Sequence, residues 1–296
     1  MIIITGQTAT GKTDLALEYA VKYNGELINC DSRQIYKHLD IITGKDVPDN
    51  SKFRIQDSKS KFQIGYYPVS GTKIWLYDII EPDRYFSSFD FVSCADFVIS
   101  DIQSRGKTPI IVGGSYFYLK HFLYGLGVQV PPNFQLRKKL NEKNVIQLQQ
   151  LILNIDRQIK QTFNNSDWNN PRRLIRRIEI LQGKVPERTL PERKLPEKYI
   201  GLRYKNRLDL VAAIKNRVER RLKAGAINEV EKILSLGYKK FDFGLKTIGY
   251  QQIIKYLSGD LSLEKAVDEW TSREVQYAKR QYTFMKTDKN ITWKEQ

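Results

Sequence analysis

The stretch Gly6-Gln7-Thr8-Ala9-Thr10-Gly11-Lys12-Thr13 constrains this chain more than any other. It follows Ile2-Ile3-Ile4, an apolar run that reads as a buried strand. It precedes Leu15-Ala16-Leu17 and Tyr19-Ala20-Val21, whose apolar residues recur with helical spacing. Strand, G-x-x-x-x-G-K-T loop and helix in that order make a P-loop. The glycines let the backbone wrap an anion so that several N–H groups point inward. The positive helix end and Lys12 add charge, and the Thr13 hydroxyl can hold a magnesium ion. The expectation is a phosphorylated ligand in an α/β, P-loop NTPase-like core with a parallel sheet.

The next segments continue the alternation of strand and helix that builds such a sheet. Glu26-Leu27-Ile28-Asn29-Cys30 reads as a second strand, ending at Asp31-Ser32-Arg33-Gln34. Residues 74–80 read as a strand stopped by Pro82, 89–105 as a helix, and Pro109-Ile110-Ile111-Val112 as a strand breaking into Gly113-Gly114-Ser115. After Pro131-Pro132 the strand signal vanishes. Residues 131–185 read as a small all-α insert, and Pro186, Pro191 and Pro196 punctuate a connector back to a core strand at Tyr199-Ile200-Gly201-Leu202. The remainder reads as helices at 208–236, 248–257 and 263–285. The expected domains are thus a catalytic core of 1–130 and 186–296 and an insert of 131–185.

Charge points to the partner. The chain carries 49 Lys and Arg against 33 Asp and Glu, a formal net charge of +16 over 296 residues. A polyanionic partner uses such an excess, although a generally basic proteome produces it too. No apolar run reaches the ~18–20 residues of a membrane helix. The first strand begins at Met1, which leaves no room for a leader, so a cytoplasmic location is expected. Two cysteines, two histidines and no C-x-x-C pair indicate neither a disulfide framework nor a zinc site.

Asp31 stands at the end of the strand after the P-loop helix, where open α/β sheets bind ligands and where it can accept a proton. A helix cap or turn residue is the other reading of an Asp-Ser pair. Gly113-Gly114-Ser115 permits close backbone approach or is a plain tight turn. No strand ends in the acidic pair of a Walker B element (Asp78 sits mid-run), so the loop can hold a diphosphate as a leaving group. In the insert, Arg172, Arg173, Arg176 and Arg177 read as one basic face opposite Leu174, Ile178 and Leu181, either a phosphate-backbone footprint or a solvated surface. Arg273, Lys279, Arg280 and Gln281 repeat the theme. Arg217 is either a phosphate clamp or a surface arginine.

The chain resembles the bacterial tRNA dimethylallyltransferases, the tRNA isopentenyltransferase (IPP transferase) family. The likeness runs over nearly the whole length and rests on ordered motifs: Gly6 to Thr13; Asp31, Ser32, Gln34 and Tyr36; Asp40, Thr43 and Lys45; Gly113, Gly114, Ser115 and Tyr118; Asn169 to Arg176; Ile248-Gly249-Tyr250; and Ala278-Lys279-Arg280-Gln281. The resemblance implies transfer of a dimethylallyl group from dimethylallyl diphosphate to N6 of adenosine 37, beside the anticodon of tRNA. It implies that Thr8, Lys12 and Thr13 hold the diphosphate with Mg2+, that Asp31 takes the N6 proton, and that Arg217 neutralises the leaving group. It also implies contacts to the anticodon stem-loop from Asp31, Ser32, Arg33, Gln34, Ser115, Arg137, Arg172, Arg173, Arg176, Lys246, Thr247, Gly249, Tyr250, Gln251, Lys279 and Arg280. A monomer is expected. The departures are Arg33 at a position usually apolar or small, Gly44 for the more usual alanine, Ser115 for threonine, Met285 for an aromatic, and a missing histidine near Leu76. The rival readings are an adenylate isopentenyltransferase, which needs neither basic helix, a P-loop small-molecule kinase, and a non-catalytic RNA-binding protein.

Overall fold

A computed structural model describes residues 1–45, 47–48, 51–57, 61–125, 130–183 and 193–296. Within these it forms two compact units, one of residues 1–123 with 194–296 and one of residues 124–193. The expected boundary at 185/186, with Pro186 and Pro191, lies outside the described residues.

The larger unit is built on one eight-stranded sheet. Its strands are β1 (Ile2–Gly6), β2 (Gly25–Asn29), β3 (Arg54–Asp57), β4 (Ile64–Val69), β5 (Thr72–Trp75), β6 (Thr108–Val112), β7 (Lys198–Arg203) and β8 (Thr292–Glu295), in the order β3-β4-β5-β2-β6-β1-β7-β8. The six strands from β5 to β8 run parallel. β1 is buried along its whole length, as its unbroken isoleucine run requires of a strand covered on both faces. Alternation then sorts its side chains: Ile3 joins the large core, while Ile2 and Ile4 pack with Ala16 and Ala20 of helix α1 (Lys12–Lys22) on the opposite face. Helices α2 (Ser88–Ser104) and α3 (Tyr116–Tyr124) complete the N-terminal part.

Three expectations need correction. The sheet is mixed, because β3, β4 and β5 pair antiparallel. The β4–β5 hairpin turns at Ser70-Gly71, both with positive φ, the two-residue connection whose twist suits a hairpin. The strand read at 74–80 ends at Trp75, since Leu76 and Asp78 both adopt positive φ and lead the chain out of the ladder. The C-terminal remainder is not wholly helical. The segment read as one helix at 208–236 is α8 (Arg207–Lys223) and α9 (Ala226–Ser235), broken at Ala224-Gly225. After α10 (Tyr250–Leu257) and α11 (Leu263–Met285), β8 adds an edge strand beside β7.

In the chain order between α3 and β7, the smaller unit holds α4 (Phe134–Leu140), α5 (Val145–Ile155), α6 (Asn165–Trp168) and α7 (Pro171–Gln182), with no strand among its described residues. It has its own apolar core of Leu140, Leu148, Ile152, Ile159, Leu174, Ile175 and Ile178. Pro171 at the start of α7 and the Asn170 side chain capping the N–H groups of Arg172 and Arg173 fix where that helix begins.

At the end of β2 away from Asp31, the fully buried Glu26 carboxylate accepts from Arg105, at 2.5 and 2.7 Å, and from the Trp75 indole at 2.9 Å, with Lys107 at 3.0 Å. Burial raises its pKa, but the bonds from Arg105, Trp75 and Lys107 outweigh that and hold it at about 2 against an ordinary 4.5. A depressed folded value means the contribution is complete above pH 4.5 and is lost as pH falls through about 2. Glu26→Gln should therefore cost ~3 kcal/mol at neutral pH, because the cations lose their partner. Thermal unfolding followed from pH 6 to 2 should show an acid loss in the parent that the variant lacks; parallel profiles would contradict this.

Candidate active site

β1 ends at Gly6 and α1 starts at Lys12, so the five residues between them form the loop over the helix N-terminus. Side chains from three later segments pin it. The Thr8 N–H donates to Gln281 Oε1 of α11 at 2.8 Å, and Gln281 Nε2 donates to the Gly114 carbonyl at 3.0 Å. Beyond β7, the Tyr204 N–H donates to Gln7 Oε1 at 3.0 Å and its hydroxyl to the Ala9 carbonyl at 2.7 Å. From α8, Arg217 Nη1 donates to Thr8 Oγ1. Lys12 Nζ lies 2.5 Å from the Gln7 carbonyl, arching back over the loop.

A cavity of about 910 Å³ opens here, lined by Thr8 to Thr13 of the loop together with Asp31, Gln34, Asp40, Lys45 and Arg217. Asp31 is a turn residue, and it also lines the cavity. Its Oδ1 accepts from the Arg33 N–H at 2.9 Å, an Asx turn at the end of β2, and it borders the same cavity as the phosphate loop. Ser32 joins this turn to the Gly-Gly-Ser segment through its N–H on Ser115 Oγ, at 2.9 Å. Gln34 donates to the Gly44 carbonyl at 2.7 Å. Asp78, considered above as a Walker B carboxylate, is instead bound to Lys45 and to the Tyr67 hydroxyl. Lys45 also reaches the Tyr36 carbonyl and Asp40, both at 2.7 Å, and so ties the 36–45 loop to the segment after β5.

Several cavity residues escaped the sequence. Arg220, Arg221 and Tyr204 line the cavity, and Tyr277 neighbours Asp31. Burial first, and then the Asp31 charge, hold the Tyr277 phenol above its ordinary range. Arg221 lies one helical turn beyond Arg217, and that i, i+4 spacing was the available signal. For magnesium, Thr13 supplies a hydroxyl at the cavity wall. No group of three or more His, Cys, Asp or Glu side chains converges among the described residues. A donor set of one hydroxyl suits an ion held chiefly by substrate phosphates and water, which is how magnesium usually binds phosphorylated substrates.

The residues expected to meet RNA divide in two. Arg33, whose guanidinium donates to the Phe243 carbonyl at 3.4 Å, stands next to Asp31, whereas Lys246, Lys279 and Arg280 are exposed. Tyr250 has no exposed surface. Its hydroxyl meets Glu229, whose carboxylate also accepts the N–H groups of Asp40, Ile41 and Ile42 at 2.8, 2.5 and 3.1 Å. Tyr250 therefore supports the 40–45 loop from within, through Glu229. Thr247 is buried with its hydroxyl on the Gly244 carbonyl, Gly249 caps α10 under Trp270, and Gln251 bonds the Lys240 and Leu245 carbonyls.

In the helical unit the four arginines of α7 are exposed or half-exposed while Leu174 and Ile178 are buried, and three of the four have protein partners. Arg137 grips the buried Glu179 carboxylate at 2.7 and 2.8 Å, and Arg176 binds Glu179 at 3.2 Å and the Val130 carbonyl at 2.6 Å. Burial raises the Glu179 pKa, but these arginines and the Asn133 N–H bring it below its ordinary value. Arg173 pairs with Asp167, and Arg177 covers the Phe163 ring at 5.3 Å. Only Arg172 of the tRNA set in this unit is both exposed and outside these pairings.

Comparison with known proteins agrees with this architecture. The family model described as IPP transferase matches residues 34–288. A tRNA dimethylallyltransferase of Endomicrobium trichonymphae is 35% identical, over 98% of this chain and 93% of the relative. Among solved structures, the tRNA Δ(2)-isopentenylpyrophosphate transferase of Staphylococcus epidermidis superposes with a TM-score of 0.67 at 30% identity, covering 99% of this chain and 92% of that one. The full-length tRNA isopentenylpyrophosphate transferase of Bacillus halodurans gives 0.68 at 28% identity, covering 99% and 89%. With a family model matching residues 34–288 and a relative 35% identical over nearly the whole chain, the chain belongs to the IPP transferase family.

Proposed function

We propose that this chain transfers a dimethylallyl group from dimethylallyl diphosphate to N6 of the adenosine beside the anticodon in tRNA. What carries the reading is one cavity lined by a phosphate loop, Arg217 and Asp31 together. The N6 lone pair is delocalised into the purine and attacks weakly, so the reaction depends on C1 of the allyl group becoming cationic as its bond to oxygen breaks. That electron pair leaves with the diphosphate. The loop N–H groups, Lys12 and Arg217 are the groups preorganised for the growing charge. As the N6–C1 bond forms, the nitrogen becomes acidic and Asp31 takes its proton. Thr13 would hold a magnesium ion through its hydroxyl, and such an ion would supply further charge neutralisation.

The adenine has to leave its stack to reach this cavity, and the anticodon stem is held by its phosphates. One chain supplies the whole catalytic set, so a monomer suffices. No helix among the described residues is long and apolar enough to cross a membrane, and we place the enzyme in the cytoplasm with its tRNA. Incubation with unmodified tRNA, magnesium and dimethylallyl diphosphate, without ATP, should add the dimethylallyl mass to adenosine in nucleoside digests. Product on free AMP but none on tRNA would overturn the acceptor, and ATP-dependent phosphorylation would overturn the reaction class.

Within the helical unit we assign RNA contact to Arg172 and support of Glu179 to Arg137 and Arg176. In tRNA binding measured over a salt series, Arg172→Ala should reduce the slope of log K against log salt by about 1 without shifting Tm. Arg176→Ala should lower Tm and leave the slope nearly unchanged, because it weakens a buried carboxylate's support. The opposite pattern would return Arg176 to the RNA footprint.

A further inference from the structure

Among the described residues, Arg221 is a buried charge with an unsatisfied donor. It lies on α8 one turn after Arg217, it lines the cavity, and only 6% of its surface is exposed. A guanidinium has five N–H donors, and burying it ordinarily demands partners for most of them. Here Nη1 bonds Glu274 Oε1 at 3.1 Å, while Nη2 is buried with no hydrogen-bond partner. Burial, and next the Arg217 charge, push its pKa down to about 10, with Glu274, Tyr250 and Asp31 acting in the other direction. Glu274 is itself buried and accepts from the Trp270 indole at 3.2 Å, so the anchor behind Arg221 is rigid.

What faces Arg221 is Gly44, and its missing side chain is the key to the arrangement. Gly44 has φ +69, and a Cβ built there would lie 2.7 Å from Arg221 Nη2 and 3.4 Å from Arg217 Nη2. Both guanidinium groups therefore meet over the space a methyl group would fill. Arg217, with a like charge at its back and this space beside it, is turned so that its Nη1 reaches Thr8 Oγ1 of the phosphate loop. The Gly44 backbone is held independently, through its carbonyl on Gln34 and the Glu229 carboxylate capping the start of its loop.

We propose that Arg221 is a positioning residue for Arg217: anchored by Glu274 and accommodated by Gly44, it sets the pose in which Arg217 addresses the diphosphate. The proposal rests on the phosphate site described above. It explains why an incompletely bonded arginine is retained in the interior next to another arginine, an arrangement that costs stability unless an anion arrives beside it. It also makes position 44 a determinant of leaving-group binding, although its backbone donates nothing to the phosphate loop.

The experiment is titration calorimetry of the full chain with magnesium and inorganic diphosphate, alongside steady-state prenyl transfer, for Arg221→Met, Arg221→Lys, Gly44→Ala and the Gly44→Ala/Arg221→Met pair. Arg221→Met should weaken diphosphate binding and lower kcat by about tenfold each, while the KM for tRNA stays within twofold. Arg221→Lys, which keeps the charge in a shorter side chain, should recover part of the loss. Gly44→Ala, strained at φ +69 in either background, should cost more in the parent than in the Arg221→Met background, where the guanidinium its Cβ meets is gone. Diphosphate affinity and kcat within twofold of the parent in Arg221→Met, or independent multiplication of the two substitutions, would overturn the proposal. Should Arg221→Met fail to fold, Arg221→Lys and Gly44→Ala carry the same comparison. A parent that binds diphosphate in an Arg221-dependent way but makes no prenylated tRNA would sink the proposed reaction and spare this inference.

Discussion

Arg217→Ala should lower kcat for prenyl transfer on the order of 10²–10³-fold and leave the KM for tRNA within about threefold. The size follows from where charge builds up. On the proposed mechanism the loop N–H groups would already bind the diphosphate in the ground state; in the transition state it would gain the electron pair of the breaking C–O bond, and a guanidinium held on Thr8 would meet that added charge. An interaction that strengthens only along the reaction appears in kcat, whereas uniform binding appears in KM for the diphosphate substrate. Arg217→Lys should recover only part of the activity, because a point charge does not replace a planar fork with one arm on Thr8 and the other over Gly44. Arg217 is half-buried on a helix surface, so its removal should change stability by no more than ~0.5 kcal/mol. Steady-state kinetics with each substrate varied, and a thermal melt beside them, separate these effects. An Arg217→Ala enzyme with unchanged kcat and a raised KM for dimethylallyl diphosphate would reduce Arg217 to a ground-state anchor.

The phosphate loop was legible in the sequence because every part of it is contiguous: Ile2 to Ile4 must be strand, Lys12 must open a helix, and the loop between has no other course. Asp31 was legible for a related reason, since the end of β2 next to the first strand pair has to face the loop. What remained hidden depends on contacts distant in sequence. β8 is four residues, mostly exposed and polar, and only the β7 edge makes it a strand. The end of β5 at Trp75 follows from a kink that Lys45, thirty residues earlier in the chain, holds through Asp78. Arg137 and Arg176 looked like surface cations because the sequence cannot reveal that Glu179, on the apolar side of α7, is buried between them. Tyr250 looked like an RNA contact within its motif, whereas the structure gives it to the core and to Glu229. In each case the partner is supplied by tertiary packing rather than by neighbours in sequence.

Asp31→Asn isolates the proton-accepting role more cleanly than any alanine substitution. The carboxylate has a structural duty through Oδ1, which accepts from the Arg33 N–H at 2.9 Å and holds the turn that follows β2. Asparagine retains an Oδ1 acceptor and tolerates this turn, so the path of Ser32 onto Ser115 and of Gln34 onto Gly44 is kept. What it loses is the negative charge and the basicity. The expected result is a fall in kcat of ~10²–10³-fold, the range of a positioned general base, with Tm within about 2 °C of the parent and tRNA affinity within about threefold. Asp31→Ala should add to that loss by releasing the turn, and its tRNA affinity should drop as Arg33 and Gln34 lose their placement. The difference between the two variants thus measures the turn, and the difference between Asp31→Asn and the parent measures the chemistry. Transfer by Asp31→Asn within threefold of the parent would mean that the N6 proton leaves by another route, to water or to a neighbouring group, and that Asp31 serves the site only as a turn.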